Sequence, residues 1–201
     1  VSILKTKLCN FRSLYNSLKR VCDVKVLDKE NLQSANRLIL PGVGAFNELM
    51  KELDEEKLSF INKIYEKKLP ILGICLGAQV LFTKGYENKS TNGLNFIKGK
   101  VLNLKEFSKN NELIIPNIGW LKTDFKKHKI FENIPNFSLM YYIHSYNFKP
   151  EDKETIYANC KIDNINFNAV CIKDNLIACQ FHPEKSGTNG LKLLSNFSNI
   201  N

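Results

Sequence analysis

Ile71-Leu72-Gly73-Ile74-Cys75-Leu76-Gly77-Ala78-Gln79 is the stretch on which the reading of this chain turns. An apolar run of strand type reaches Gly73 and a helix-compatible segment begins at once, so Cys75 stands where strand turns sharply into helix. Glycines on either side permit a tight turn that lifts the side chain above the sheet edge, as in a nucleophile elbow with sulfur in place of oxygen. Unpaired N–H groups at a helix start favour thiolate over thiol. Taken alone, the stretch is equally compatible with a buried structural cysteine.

Upstream, residues 1–4, 24–27 and 37–40 are short apolar runs. Between the first two, Phe11, Leu14, Leu18 and Val21 recur at helical spacing, and this alternation implies a parallel sheet covered by helices. Pro41-Gly42-Val43-Gly44-Ala45 follows the third run. It is either an ordinary loop or a place where backbone approaches a ligand at the carboxyl ends of the strands. A single long helix is expected over 46–68. Downstream, a helix is expected over 76–82, a β-like stretch over 93–104 and a polar loop over 107–112. The segment 138–148 is dense in β-formers, and strands are expected over 155–160, 167–172 and 176–181, the last two joined by a turn at Asp174-Asn175. A final helix carries Leu191, Leu194 and Phe197 on one face. The expected architecture is α/β: one domain over 1–201, with a central mixed, mostly parallel sheet flanked by helices.

With 201 residues the chain can bury its own core without disulfides or metal. No apolar run approaches membrane-spanning length and no charged segment followed by an apolar one opens the chain, so the cytoplasm is expected and no membrane. Its six cysteines form no CxxC pair, and none of its three histidines has ligand spacing to a cysteine pair. No metal and no organic cofactor are expected. The net charge of +9 raises the question of nucleic acid. Most lysines are interspersed with acids, however, and Lys126-Lys127-His128-Lys129 is the one compact basic patch. No nucleic-acid-binding motif accompanies it, so no nucleic-acid partner is expected.

A cysteine nucleophile needs a base and a group to orient that base. His128 lies among lysines on an expected surface. His144, in a strand-like stretch, is either a satisfied core histidine or a site-lining one. His182 follows an apolar strand and is joined to Glu184 through Pro183, whose fixed backbone lets both side chains enter one site. Glu184 then holds one ring nitrogen while the other faces sulfur, the logic of a nucleophile-base-orienter triad.

Gly73-Ile74-Cys75-Leu76-Gly77-Ala78-Gln79 together with Phe181-His182-Pro183-Glu184 resembles the two signatures of the class I (triad) glutamine amidotransferases. Leu40-Pro41-Gly42-Val43-Gly44, Asn117-Ile118-Gly119-Trp120, Tyr142-Ile143-His144-Ser145-Tyr146 and His182-Pro183-Glu184-Lys185-Ser186 look most like the glutaminase subunit of imidazole glycerol phosphate synthase. The resemblance implies glutamine hydrolysis, with Cys75, His182 and Glu184 catalytic. It implies an oxyanion hole from the Leu76 N–H and, after a peptide flip, the Gly42-Val43 loop. Gly44, Gln79, Glu87, Ser145 and Tyr146 would surround glutamine, while Asn10, Trp120, Tyr141 and Lys185 would meet a synthase partner.

One departure stands out. The family's first loop is usually of the Asp-x-Gly-x-Gly-Asn type, and Lys5-Thr6-Lys7-Leu8-Cys9-Asn10 keeps only the asparagine. Two partners are therefore weighed: a (β/α)8 barrel cyclase of histidine biosynthesis, and a sugar amidotransferase of surface-polysaccharide pathways. A non-catalytic scaffold relative is disfavoured, because Cys75, His182 and Glu184 are all present.

Overall fold

Strand order places three loops around one crevice. The computed structural model describes residues 1–28, 32, 35–108, 113–163 and 165–200. The first part runs β1 (Ser2–Leu4), α1 (Phe11–Lys19), β2 (Lys25–Leu27), β3 (Leu38–Gly42), α2 (Phe46–Glu52), α3 (Glu55–Glu66), β4 (Ile71–Cys75) and α4 (Leu76–Gln79). Every residue of β3 and β4 is buried, which is why both read as continuous apolar runs rather than alternating ones. β1 pairs in parallel with β2 on one side and β3 on the other, and β3 pairs in parallel with β4, Gly42 opposite Cys75. The direction in which strands are added thus reverses between β1 and β3. A crevice at the carboxyl ends of the strands follows from that reversal.

The chain continues through β5 (Phe82–Gly85), β6 (Thr91–Asn92), β7 (Ile97–Asn103), β8 (Asn117–Phe125), β9 (Ser138–His144), β10 (Tyr146–Pro150), β11 (Ile156–Ile162), β12 (Ile165–Lys173), β13 (Leu176–Cys179) and α5 (Gly187–Asn199). Among the described residues the large sheet has the order β2-β1-β3-β4-β13-β12-β11-β8-β9, and β10-β7-β5-β6 forms a second, smaller sheet. The large sheet is mixed, as expected. Its parallel pairings are confined to the half from β2 to β13, and the other four pairings are antiparallel. Short connections such as the turn at Asp174, with φ of 52°, return the chain without a crossover helix. One apolar cluster centres on Ile3, Ile39, Leu72, Ile74, Tyr142 and Phe181, and a second on Leu4, Leu40, Phe46, Ile71, Phe82 and Phe148. Alternate residues of β1, β3 and β4 feed the two clusters, as the pleat requires.

Three local expectations differ from the fold. The helix expected over 46–68 is two helices, because Asp54 caps the second one, its carboxylate accepting from the Lys57 N–H at 3.1 Å. The helix expected over 76–82 is a single turn. After Val80 the chain gives its carbonyls to the segment 94–97: Val80 to the Leu94 N–H, and Leu81 to those of Phe96 and Ile97. The macrodipole behind Cys75 is correspondingly small, leaving only the local N–H groups of the turn. Finally, the β-rich segment 138–148 divides at Ser145 and joins both sheets, β9 in the large one and β10 in the small one. Of the loop expected over 107–112, residues 109–112 lie outside those described.

Candidate active site

Cys75 ends β4 with φ 52° and ψ −111°, a conformation L-residues rarely adopt. Such strain costs on the order of 1–3 kcal/mol and persists only where the surroundings enforce it. Here they do. A Cβ on Gly77 would overlap the Leu40 carbonyl, and one on Gly73 would come within 2.6 Å of the Ala78 Cα. The turn therefore packs directly on backbone from β3 and from its own helix, and the two flanking glycines are required by close approach.

β13 lies parallel to β4 with Cys179 opposite Ile74, so the chain leaving β13 arrives beside the sulfur. His182 is anchored there by its own N–H, which donates to the Tyr141 carbonyl at 2.9 Å, and by the Ser186 hydroxyl, which donates to the His182 carbonyl at 2.6 Å. His182 Nδ1 meets Glu184 Oε1 at 2.8 Å, with both side chains almost wholly buried. Nε2 is buried without a hydrogen-bond partner. Burial alone would lower the pKa of this ring, but interaction with Cys75 and Glu184 outweighs it and raises the proton affinity of the ring, as a base requires. Sulfur and ring thus interact electrostatically, without the geometry of a full hydrogen bond. Removing solvent strengthens that attraction.

A cavity of about 240 Å³ opens on the sulfur, walled by Val43, Gly44, Cys75, Leu76, Gln79, Glu87, Pro116 and residues 143–146. The residues expected around a substrate, Gly44, Gln79, Glu87, Ser145 and Tyr146, all line it. Glu87 Oε2 accepts from the Phe46 N–H at 2.7 Å. Burial raises the pKa of Glu87, with that N–H opposing the shift and Glu48 adding to it. Gly42 is not on the wall; it stands across the ladder from Cys75. The Val43 N–H donates to the Leu8 carbonyl at 2.8 Å. A larger cavity, about 640 Å³, lies at the opposite ends of β4 and β13, against Pro70, Asn175 and Ile177. It holds none of the elbow residues.

His144, left open between core and site, lines the cavity in neutral form. Burial lowers its pKa to about 4, an effect that nearby His182 reinforces and the Tyr146 carbonyl opposes. Nδ1 lies 2.9 Å from that carbonyl and Nε2 lies 3.1 Å from Asn117 Nδ2. A carbonyl only accepts, so the proton is on Nδ1 and Nε2 accepts from Asn117. His128 acts elsewhere as a cap, its Nδ1 accepting from the Ile130 N–H at 3.2 Å.

The outward face of β8 and β9 is largely apolar: Ile118, Trp120, Leu139 and Ile143 are exposed, with exposed Lys122 opposite Leu139. Trp120 meets Tyr141 edge to face at 5.7 Å, and Lys185 Nζ lies 5.6 Å from the Tyr141 ring centre. Asn10 is exposed at the N-cap of α1, a helix that packs on residues 183–185. Sequence reasoning passed over Gln180 and Asn147, both fully buried. Their one signal was polarity within runs otherwise apolar.

A cysteine at a strained strand-to-helix turn, backed by a His–Glu pair and facing a cavity, fits the family to which this chain belongs: residues 8–200 match glutamine amidotransferase class-I. The chain is a class I glutaminase. It is 40% identical over 204 residues to imidazole glycerol phosphate synthase subunit HisH of Caldanaerobacter subterraneus subsp. tengcongensis, covering 100% of this chain and 98% of that protein. It is 41% identical to the subunit of the same name from Methanosarcina barkeri, over 98% of this chain and 96% of that one. Its fold is shared with a chain of PurLQS from Thermotoga maritima, at a TM-score of 0.73 and 18% identity, over 98% and 96% of the two chains.

Proposed function

We propose that the whole chain works as one cytoplasmic glutaminase domain that hydrolyses glutamine through a cysteinyl thioester and passes ammonia to a synthase partner. The observation that carries this reading is the unpartnered Nε2 of His182, beside Cys75, on a ring whose other nitrogen is held by Glu184. Cys75 Sγ gives its proton to His182 and attacks the side-chain amide carbon, placing the carbonyl electrons on oxygen. The C–N bond then breaks and ammonia departs with the proton from His182. His182 next takes a proton from water, whose oxygen adds to the thioester carbon, and glutamate leaves as the C–S bond breaks. Glu184 orients the ring throughout. The Leu76 N–H, first in its helical turn, is one oxyanion donor. Glu87 fits the α-ammonium of glutamine, and Gln79, Gly44, Ser145 and Tyr146 enclose the remainder.

The partner is a barrel cyclase making imidazole glycerol phosphate for histidine biosynthesis, as the names of the relatives near 40% identity suggest. The largely apolar face of β8 and β9, with Trp120, Tyr141 and Lys185, is its docking surface. The loop at 5–10, which lacks the family's acidic residue and glycines, favours a sugar amidotransferase as the second reading. Glutamate release by the parent and Cys75→Ala chains, each with and without partner, tests the chemistry. Release that survives Cys75→Ala, or its absence from the parent in both conditions, would refute it. Copurification from the native cell decides between the partners.

A further inference from the structure

We infer that Gln180 is a hydrogen-bond donor to the nucleophile, held in a single orientation by a chain of buried side-chain amides. The inference rests on Cys75 being the nucleophile. Gln180 is fully buried and its Nε2 lies 3.7 Å from Cys75 Sγ, within reach of a hydrogen bond to a large sulfur atom. An amide can face either way round, so the question is what fixes it.

The chain of amides begins on backbone. Asn147 Nδ2 donates to the Asn168 carbonyl at 2.8 Å while the Asn168 N–H donates to Asn147 Oδ1 at 3.1 Å. Turning the Asn147 amide over would set donor against donor and acceptor against acceptor. Its second N–H is thereby directed to Gln180 Oε1, at 3.4 Å. Gln79 is fixed in the same way. Its Nε2 donates to the Tyr146 carbonyl at 2.9 Å and also to Gln180 Oε1 at 3.1 Å. Gln180 Oε1 thus receives two N–H groups whose directions are set elsewhere. Its own NH₂ group must face the sulfur, because the reverse arrangement would set donor against donor and leave buried N–H groups unpaired.

The sulfur has a different neighbour in the carbonyl of Ile143, at 3.7 Å, to which the resting thiol donates. Once the proton passes to His182, that carbonyl repels the thiolate and the Gln180 N–H attracts it. Gln180 therefore favours the charged nucleophile, and it does the same when the thiolate leaves at the end of the reaction.

Alkylation of the full chain by iodoacetamide, without glutamine, reads this directly. The peptide holding Cys75 is followed by mass spectrometry, so the other cysteines do not contribute. Gln180→Glu keeps the acceptor and the shape but exchanges the N–H donor for a carboxylate that repels the thiolate; Gln180→Leu removes donor and acceptor without adding charge. Each variant should alkylate at Cys75 roughly tenfold more slowly at pH 8. An unchanged rate in Gln180→Glu or in folded Gln180→Leu overturns the inference. If Gln180→Leu fails to fold, Gln180→Glu alone decides. Absence of glutamate release from the parent would sink the glutaminase reading and leave this comparison standing.

Discussion

The Val43 N–H donates to the Leu8 carbonyl at 2.8 Å, joining the loop after β3 to the loop after β1 across the mouth of the site. One of the two proposed oxyanion donors is therefore engaged elsewhere. A missing donor of this kind costs about 3 kcal/mol of barrier, on the order of 10² in rate. Isolated chain should turn glutamine over slowly and accelerate by that order when its synthase partner frees the peptide. Steady-state glutamate release measured with and without partner checks this, and full activity in the isolated chain would contradict it.

Glu184 acts through His182. Glu184→Gln should lower turnover roughly 10²-fold, because Gln presents no charge to hold the ring or to sustain its raised proton affinity. His182→Ala should abolish turnover. His128→Ala should leave it intact, since that ring caps residues 129–131 and faces Tyr157 and Phe131. Comparable losses from His128→Ala and His182→Ala would refute the assignment of the base.

His144 makes stability depend on pH in a definite direction. Its folded pKa, about 4, lies below the ordinary 6.5. Between those values the unfolded chain binds a proton that the folded chain does not, so stability falls as pH falls through the window. The full shift amounts to about 3 kcal/mol. His144→Gln, which can still accept from Asn117 and donate to the Tyr146 carbonyl, should lose less stability between pH 7 and pH 4.5. Denaturant unfolding at the two pH values measures the difference; equal losses would show that His144 gains its charge in the fold without cost.

Trp120 is half exposed and contributes little to the core. Trp120→Ala should change unfolding free energy by no more than about 1 kcal/mol while weakening association with the synthase partner by about 2 kcal/mol or more. Calorimetric titration against the partner separates the two effects. Undiminished affinity would remove this face from the interface.

Much of the chain was legible before it folded. The apolar runs at 71–75 and 37–40, the glycines around Cys75 and the rigid Pro183 spacing between His182 and Glu184 are local facts, and local sterics and hydrophobic periodicity suffice to read them. Asp54 followed by Glu55 and Glu56 has the composition of a helix start, yet one helix was expected over 46–68, because charge alone does not distinguish a cap from a solvated face. Other features have no local signature. That 76–82 is one turn before a strand depends on carbonyls taken up by residues 94–97, and that 138–148 serves two sheets depends on partners far away in sequence.

The place of the elbow at Cys75 was thus determined by the sequence itself, because flanking glycines without Cβ are a local property, while its strained backbone is held by packing on β3. Only the tertiary structure decided what surrounds the sulfur. A register of Gly42 opposite Cys75 and Cys179 opposite Ile74 brings in the Val43 peptide from one side and Gln180 and His182 from the other. Hydrogen bonds between buried polar groups depend on distance and direction, and those are fixed only when the strands have paired.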